Sequence, residues 1–234
     1  MKTSRLFLAS LIGLFSLGTA FADDSDMREA VHRASSMFEE KQASAHPIPQ
    51  AVLDHARALG FIEITKGALG VGGANGEGVI VSRVPDGWSA PFAFTQGGGS
   101  IGFQVGVDIK RYIYVFNTEA AYHAFTGPTR GRFQADAKAT AGPDSASQIA
   151  ARGLPDSPMY IYSLSDGAFA GVSVGGQLVG GAPEANKAAY GTDDPDAILH
   201  GKVPVPAYAG PLNTALSVPA GPPTHATMKP GGGT

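Results

Sequence analysis

Between Asp24 and Lys41 the apolar residues fall at Met27, Ala30, Val31, Ala34, Met37 and Phe38. Intervals of three and four put them in a stripe about 120° wide on one side of a helix. Pro47 and Pro49 interrupt the pattern, and Pro49 suits the first turn of a second helix through Val52, Leu53 and Ala56, stopped by Gly60. From Phe61 the period drops to two. It is clearest over Gly97–Ile109, where Ile101, Phe103, Val105, Val107 and Ile109 oppose Gly102, Gln104, Gly106 and Asp108. Glycine weakens a strand interior, so this bare second face predicts the close approach of a ring, another backbone or a ligand. Strands are predicted over 61–66, 68–73, 77–84, 91–96, 100–109, 112–117, 132–140, 159–164 and 168–175, with a short helix at Glu119–Phe125. Asn75-Gly76, Asp86-Gly87 and Asp166-Gly167 supply hairpin turns.

After Gly181 the pattern becomes helical in short pieces, Pro183–Tyr190, Pro195–His200 and Ala207–Leu216. Asp193, Asp194 and Asp196 suit the cap of the second piece, and lack the glycine and terminal glutamate of a calcium loop. No unit of parallel strands joined by a helix is read along the chain. The fold class is therefore α+β: a curled, nearly closed antiparallel β-sheet with N-terminal amphipathic helices and short C-terminal helices. Residues 23–217 form a single domain, and 218–234, rich in proline and glycine without periodicity, form a disordered tail.

Residues 1–22 read as a signal peptide: Lys2 and Arg5, the apolar run Leu6–Leu17, then Ala20-Phe21-Ala22 as the cleavage site. The chain has no cysteine, which excludes disulfides, a thiol nucleophile and a lipoprotein anchor. A periodic or otherwise long apolar run able to span a bilayer is not found, so the expected location is periplasmic or secreted. The formal charge is −3, and −5 without Lys2 and Arg5, the only charged residues of the leader. That balance argues against nucleic acid as a partner.

Several blocks occur in a recognisable order. Ile48-Pro49 opens a helix, Lys66 precedes GALGVGGANGEGVIVSR, and DGWSAP, GSIGFQVG, Ala141-Gly142-Pro143, YIYSLSDGAFAGVSVGG, AAYG and DAILHG follow. From about Ile48 to Leu216 this order resembles the SYLF-domain family, lipid-binding modules that include actin-patch proteins of eukaryotes and exported bacterial proteins. The resemblance implies a non-catalytic phospholipid-binding module, without cofactor, acting at lipid or a membrane surface. Actin is not expected as a partner of an exported chain. The alternative is a structural or protein-interaction module of the cell envelope that takes no lipid.

The family's membrane-contacting helix corresponds to Asp24–Lys41, which makes Met27, Val31, Met37 and Phe38 the candidate apolar contacts and Arg28 and Arg33 the phosphate partners. The competing reading docks this stripe on the protein's own sheet, since acids outnumber bases along the helix. Lys66 belongs to a scattered basic set with Arg83, Lys110, Arg111, Arg130, Arg132 and Lys138 that would rim an apolar cavity. Trp88 suits either headgroup depth or burial against the glycines at 97–102. Gly171-Val172-Ser173-Val174-Gly175 matches a hydrolase elbow, with Asp196 and His200 following in order, but no helix is read after the serine. Gly97, Gly99 and Gly102 match a dinucleotide fingerprint, again without the helix it needs. Histidines 32, 46, 55, 123, 200 and 225 include no H-E-x-x-H pair, so no metal ligands are assigned.

Overall fold

A computed structural model describes residues 24–69, 72–100, 105–127, 131–132, 139–164 and 178–217. The apolar stripe forms α1 (Asp24–Ala43), and Pro49 caps α2 (Gln50–His55). Strands β1 (Ala58–Leu69), β2 (Gly72–Val84), β3 (Gly87–Trp88), β4 (Phe92–Ser100) and β5 (Val105–Phe116) follow. Next come α3 (Glu119–His123), β6 (Gly131–Arg132), β7 (Ala139–Ala141), α4 (Ala146–Arg152), β8 (Met159–Ser163) and β9 (Leu178–Gly181). The chain ends in α5 (Pro183–Tyr190), α6 (Pro195–Leu199), a 3-10 turn at Ala207–Ala209 and α7 (Gly210–Ser217).

The strand order is β6-β9-β4-β2-β1-β5-β8-β7, with β3 paired to β2. All pairings are antiparallel except β7 with β8, so the sheet is mixed. Helix α4 makes that parallel crossover, capped by Ser145, whose side chain accepts from the Gln148 N–H. This β7-α4-β8 unit corrects the expectation of a purely antiparallel sheet. Among the described residues the order is open, with β6 and β7 as its ends, so the sheet is not closed. Curling is nonetheless required. Arg132 and Ala139 belong to the opposite end strands yet are seven residues apart, a reach of at most about 25 Å. A flat sheet would hold those strands roughly 34 Å apart.

One turn assignment and one strand break change. Asp86-Gly87 does turn β2 into β3, with Gly87 at φ 126°. Asn75-Gly76 instead lies inside β2, opposite Thr65 and Ile64. Gly76 is there for close packing, because a Cβ would sit 2.9 Å from Ile64 Cγ1 and 3.0 Å from Ile62 Cδ1. Lys110 and Arg111, read as a break between two strands, pair with Ile64 and Glu63 in one continuous β5. The strand expected at 168–175, the Asp166-Gly167 turn, Ser173, Gly102, and the leader and tail lie outside the described residues.

The sheet is buried on both sides. On one face Phe61, Val79, Val81 and Ile113 meet α1, α2, α5 and α7. On the other, Ile62, Phe94, Tyr114 and Phe116 pack with Tyr122 and Phe125 and with Ile198 and Leu199 of α6. Strands covered on both faces read as continuous apolar runs, as Phe61-Ile62, Val79-Ile80-Val81 and Tyr112–Phe116 do. Within the second face, Tyr114 donates to Gln96 Oε1 at 3.1 Å, and burial pushes its phenol pKa upward. Asn186 of α5, fully buried, accepts from the Ala93 N–H at 2.9 Å and donates to the Ala93 carbonyl at 3.0 Å. It thus completes the β4 ladder at Ala93, one residue before β9 begins to pair at Phe94.

Candidate functional site

The α1 stripe is core. Met27, Val31, Met37 and Phe38 are each no more than 4% exposed, and the Phe38 ring meets Phe61 edge-on at 6.4 Å. The docking reading of this helix therefore holds, and these four side chains offer no surface to an acyl chain in this structure. The energetic reason is direct: packing each against the sheet contributes about 1.5 to 3 kcal/mol. Arg28 stands exposed with its guanidinium 4.7 Å above the Tyr208 ring, and Arg33 bonds Glu29 at 2.5 Å. Trp88 is buried, as one of its two readings expects, but against other neighbours. It lies under Arg83 at 4.6 Å and beside α7, at the opposite end of β2 from the Asn75–Gly97 pair. Arg83 is itself held by the carbonyls of Leu53 and Ala56. Lys66 is exposed on β1, opposite Asp108. The described basic residues do not gather into one rim: Arg83 lies by Trp88, Arg111 forms a two-bond pair with Glu40 at 2.6 and 2.9 Å, and Lys110 pairs with Asp108 at 3.3 Å, while Arg130 and Lys138 lie outside the described residues.

What the fold leaves uncovered is a strip of the sheet beyond α1. Residues directly opposite one another across strands share a face, as do residues two or four apart along one strand. The rung Ile113–Phe61–Val79–Ala93 lies beneath the helices. The next, Arg111–Glu63–Glu77–Thr95, is polar, and Asp26, Glu29 and Arg33 of α1 act on Glu77. The third is Ile109–Thr65–Asn75–Gly97–Leu178–Arg132, across six strands. Ile109 is 56% exposed and Leu178 37%, and Thr65 between them is open to solvent. Among the described residues only Val205 joins them as an exposed large hydrophobic side chain. The third rung thus sets exposed Ile109 and Leu178 on either side of Thr65, Asn75 and Gly97, on the face whose first rung forms the core.

Glu77 marks the border of this strip. Burial raises its pKa, Arg33 opposes the rise, and Asp26, Glu29 and Glu63 add to it. A carboxyl whose folded pKa lies above the unfolded value favours the fold below the unfolded pKa and loses that contribution as pH rises through the folded one. Glu77→Gln is therefore expected to raise the thermal midpoint at pH 7, with the gain shrinking toward pH 4. Melting curves across that range measure it, and a variant less stable than the parent at pH 7 contradicts it.

One set of metal-ligating side chains stands apart from the strip. Glu119 and His123 on α3 converge with His200 at the end of α6. Hydrogen bonds from both histidines draw the Glu119 carboxyl below its usual range. Asp194 caps α6 by accepting from the Asp196 N–H at 3.0 Å, as the sequence predicts. No described helix is long and apolar enough to cross a membrane.

Comparison with known proteins adds kinship. Residues 97–218 match the family model Ysc84, described as Las17-binding protein actin regulator. Protein YSC84 of Saccharomyces cerevisiae is 37% identical over 170 residues, 70% of this chain and 36% of that protein. LAS seventeen-binding protein 3 of the same yeast is 34% identical over 176 residues, 72% and 38% of the two chains. The human SH3 domain-containing YSC84-like protein 1 is 32% identical over 174 residues, 72% and 50%. The chain thus spans about a third to a half of the length of these curated relatives. No solved structure matches it.

Proposed function

The chain belongs to the Ysc84 family, the SYLF-domain proteins, and from that membership we propose that it is an exported, non-catalytic phospholipid-binding module that meets lipid with the third rung of its sheet. Residues 1–22 direct the export. The observation that carries the reading is the exposure of Ile109 and Leu178 on one rung, beyond the part of that face that forms the core. Isoleucine and leucine entering the acyl boundary each recover burial that the folded chain alone leaves unused. Lys66 supplies a cation near the same end of the sheet, while the net negative charge keeps attraction to anionic headgroups weak. Binding is therefore dominated by apolar contact and persists at high salt.

Co-sedimentation with phosphatidylcholine/phosphatidylglycerol vesicles tests this. Ile109→Asp with Leu178→Asp is expected to weaken binding at least about tenfold, since a charge at each position must be desolvated on insertion. Both positions face solvent, so the fold is retained. A double variant that sediments like the parent overturns the rung as the contact.

A second reading, a protein partner seated on the same strip, is favoured by the family's description and by the name of one relative, both of which refer to Las17 binding. Family membership also reopens the question of actin, which the sequence set aside only on the ground of export. In that reading the parent does not sediment with vesicles, and the same double variant loses the protein partner instead.

A further inference from the structure

Two short helices that never meet in sequence bring four metal-ligating groups to one place. Glu119 and His123 stand four residues apart on α3, and Asp196 and His200 four apart on α6 and its cap. That interval puts both members of each pair on one helix face. The helices are set in position from below: Tyr122 of α3 and Ile198 and Leu199 of α6 enter the same apolar cluster, and the Ser82 hydroxyl donates to the Leu199 carbonyl. Above it, Glu119 Oε1 lies 3.3 Å from His123 Nε2 and 3.1 Å from His200 Nε2, and Asp196 Oδ1 lies 3.9 Å from His123 Nε2. Donor atoms of Glu119, His123 and His200 all fall within 4.8 Å of one another.

We propose that Glu119, His123 and His200 form a binding site for one divalent transition-metal ion of the zinc class. An ion about 2.0 to 2.1 Å from each ligand needs tetrahedral donors about 3.3 Å apart, which the two shortest separations already satisfy. Two imidazole nitrogens with carboxylate oxygens suit zinc, cobalt, nickel or copper and disfavour magnesium and calcium, which take oxygen shells. The ion would tie α3 to α6 across more than seventy residues of chain and occupy a solvent-facing position where water completes the shell. This site is independent of the sheet strip and of any lipid reading.

The test is titration of the purified, untagged full chain with zinc chloride by calorimetry. One ion per chain is expected, with a dissociation constant at or below about 10 μM, no response to magnesium chloride, and a thermal midpoint that rises with zinc concentration. His123→Asn with His200→Asn is expected to weaken binding at least thirtyfold. Cobalt(II) gives a second readout, a ligand-field absorption present in the parent and lost in the variant. Should the double variant not fold, Glu119→Gln serves in its place, with at least tenfold weakening expected. Absence of zinc binding, or equal affinity in parent and variants, which would move the ion to histidines such as His46 or His55, overturns the site.

Discussion

Val31→Asp is expected to unfold the protein. Val31 sits 1% exposed in the seam between α1 and the sheet, among apolar residues of the larger core. The substitution forfeits about 1.5 to 3 kcal/mol of apolar burial. It also confines a carboxyl group with no partner in that seam, which costs several kcal/mol more or forces protonation. A total of about 4 kcal/mol or above consumes most of the stability of a domain near the lower end of the usual 5 to 15 kcal/mol. Circular dichroism during urea titration measures it, and His32→Asp on the exposed side of the same helix is the control, expected within about 0.5 kcal/mol of the parent. A cooperative transition for Val31→Asp at the parent midpoint would mean that α1 is not docked. The same experiment bears on lipid: loss of vesicle binding in this variant reports lost structure, which is why the exposed pair Ile109 and Leu178 is the appropriate probe.

Gly78→Ala is expected to be the second severe change, although it adds a single methyl group. Gly78 lies in β2 opposite Ile62 of β1, near the middle of the sheet. A Cβ there would meet the Phe61 carbonyl oxygen at 2.2 Å, Phe94 Cε1 at 2.8 Å and Ile62 Cα at 3.1 Å. Two of those three contacts are backbone held by a strand ladder, so relief requires β1 and β2 to separate. Overpacking of this kind costs about 3 kcal/mol, well beyond the 0.4 to 1 kcal/mol gained from a stiffer unfolded chain. Gly210→Ala supplies the contrast. At the start of α7 nothing lies within 4 Å of the added carbon, and alanine there is expected to stabilise by about 0.5 to 1 kcal/mol. Thermal denaturation of the two variants side by side reads both signs, and equal midpoints would refute the clash at Gly78.

The sequence made some levels of this structure plain and hid others for identifiable reasons. Helix α1 was legible because its stripe keeps one period for three turns, and α6 because Asp194-Pro195 combines a cap with a first-turn proline. The Asn75-Gly76 turn failed because glycine-asparagine pairs serve packing as well as turns, and only the facing Ile62 and Ile64 tell the two uses apart. Helix α4 escaped notice because it buries no side chain completely and so carries no apolar period. At the candidate sites the division is similar. Membership in the SYLF family followed from ordered blocks, but which side of α1 met lipid or core depended on tertiary packing. Ile109 was placed on an apolar strand face, yet its exposure arises because the covering helices end two rungs earlier. The Glu119–His123 and Asp196–His200 intervals are each visible as a four-residue spacing, while their meeting is a product of the fold.

The contact of α1 with α7 has a consequence for the order of events in the life of the chain. Met27 near the start of the described chain and Leu212 and Leu216 near its end share one core, so no fragment lacking the last helix can close that core. A nascent chain emerging from the ribosome thus holds α1 without a lid until α7 has also emerged.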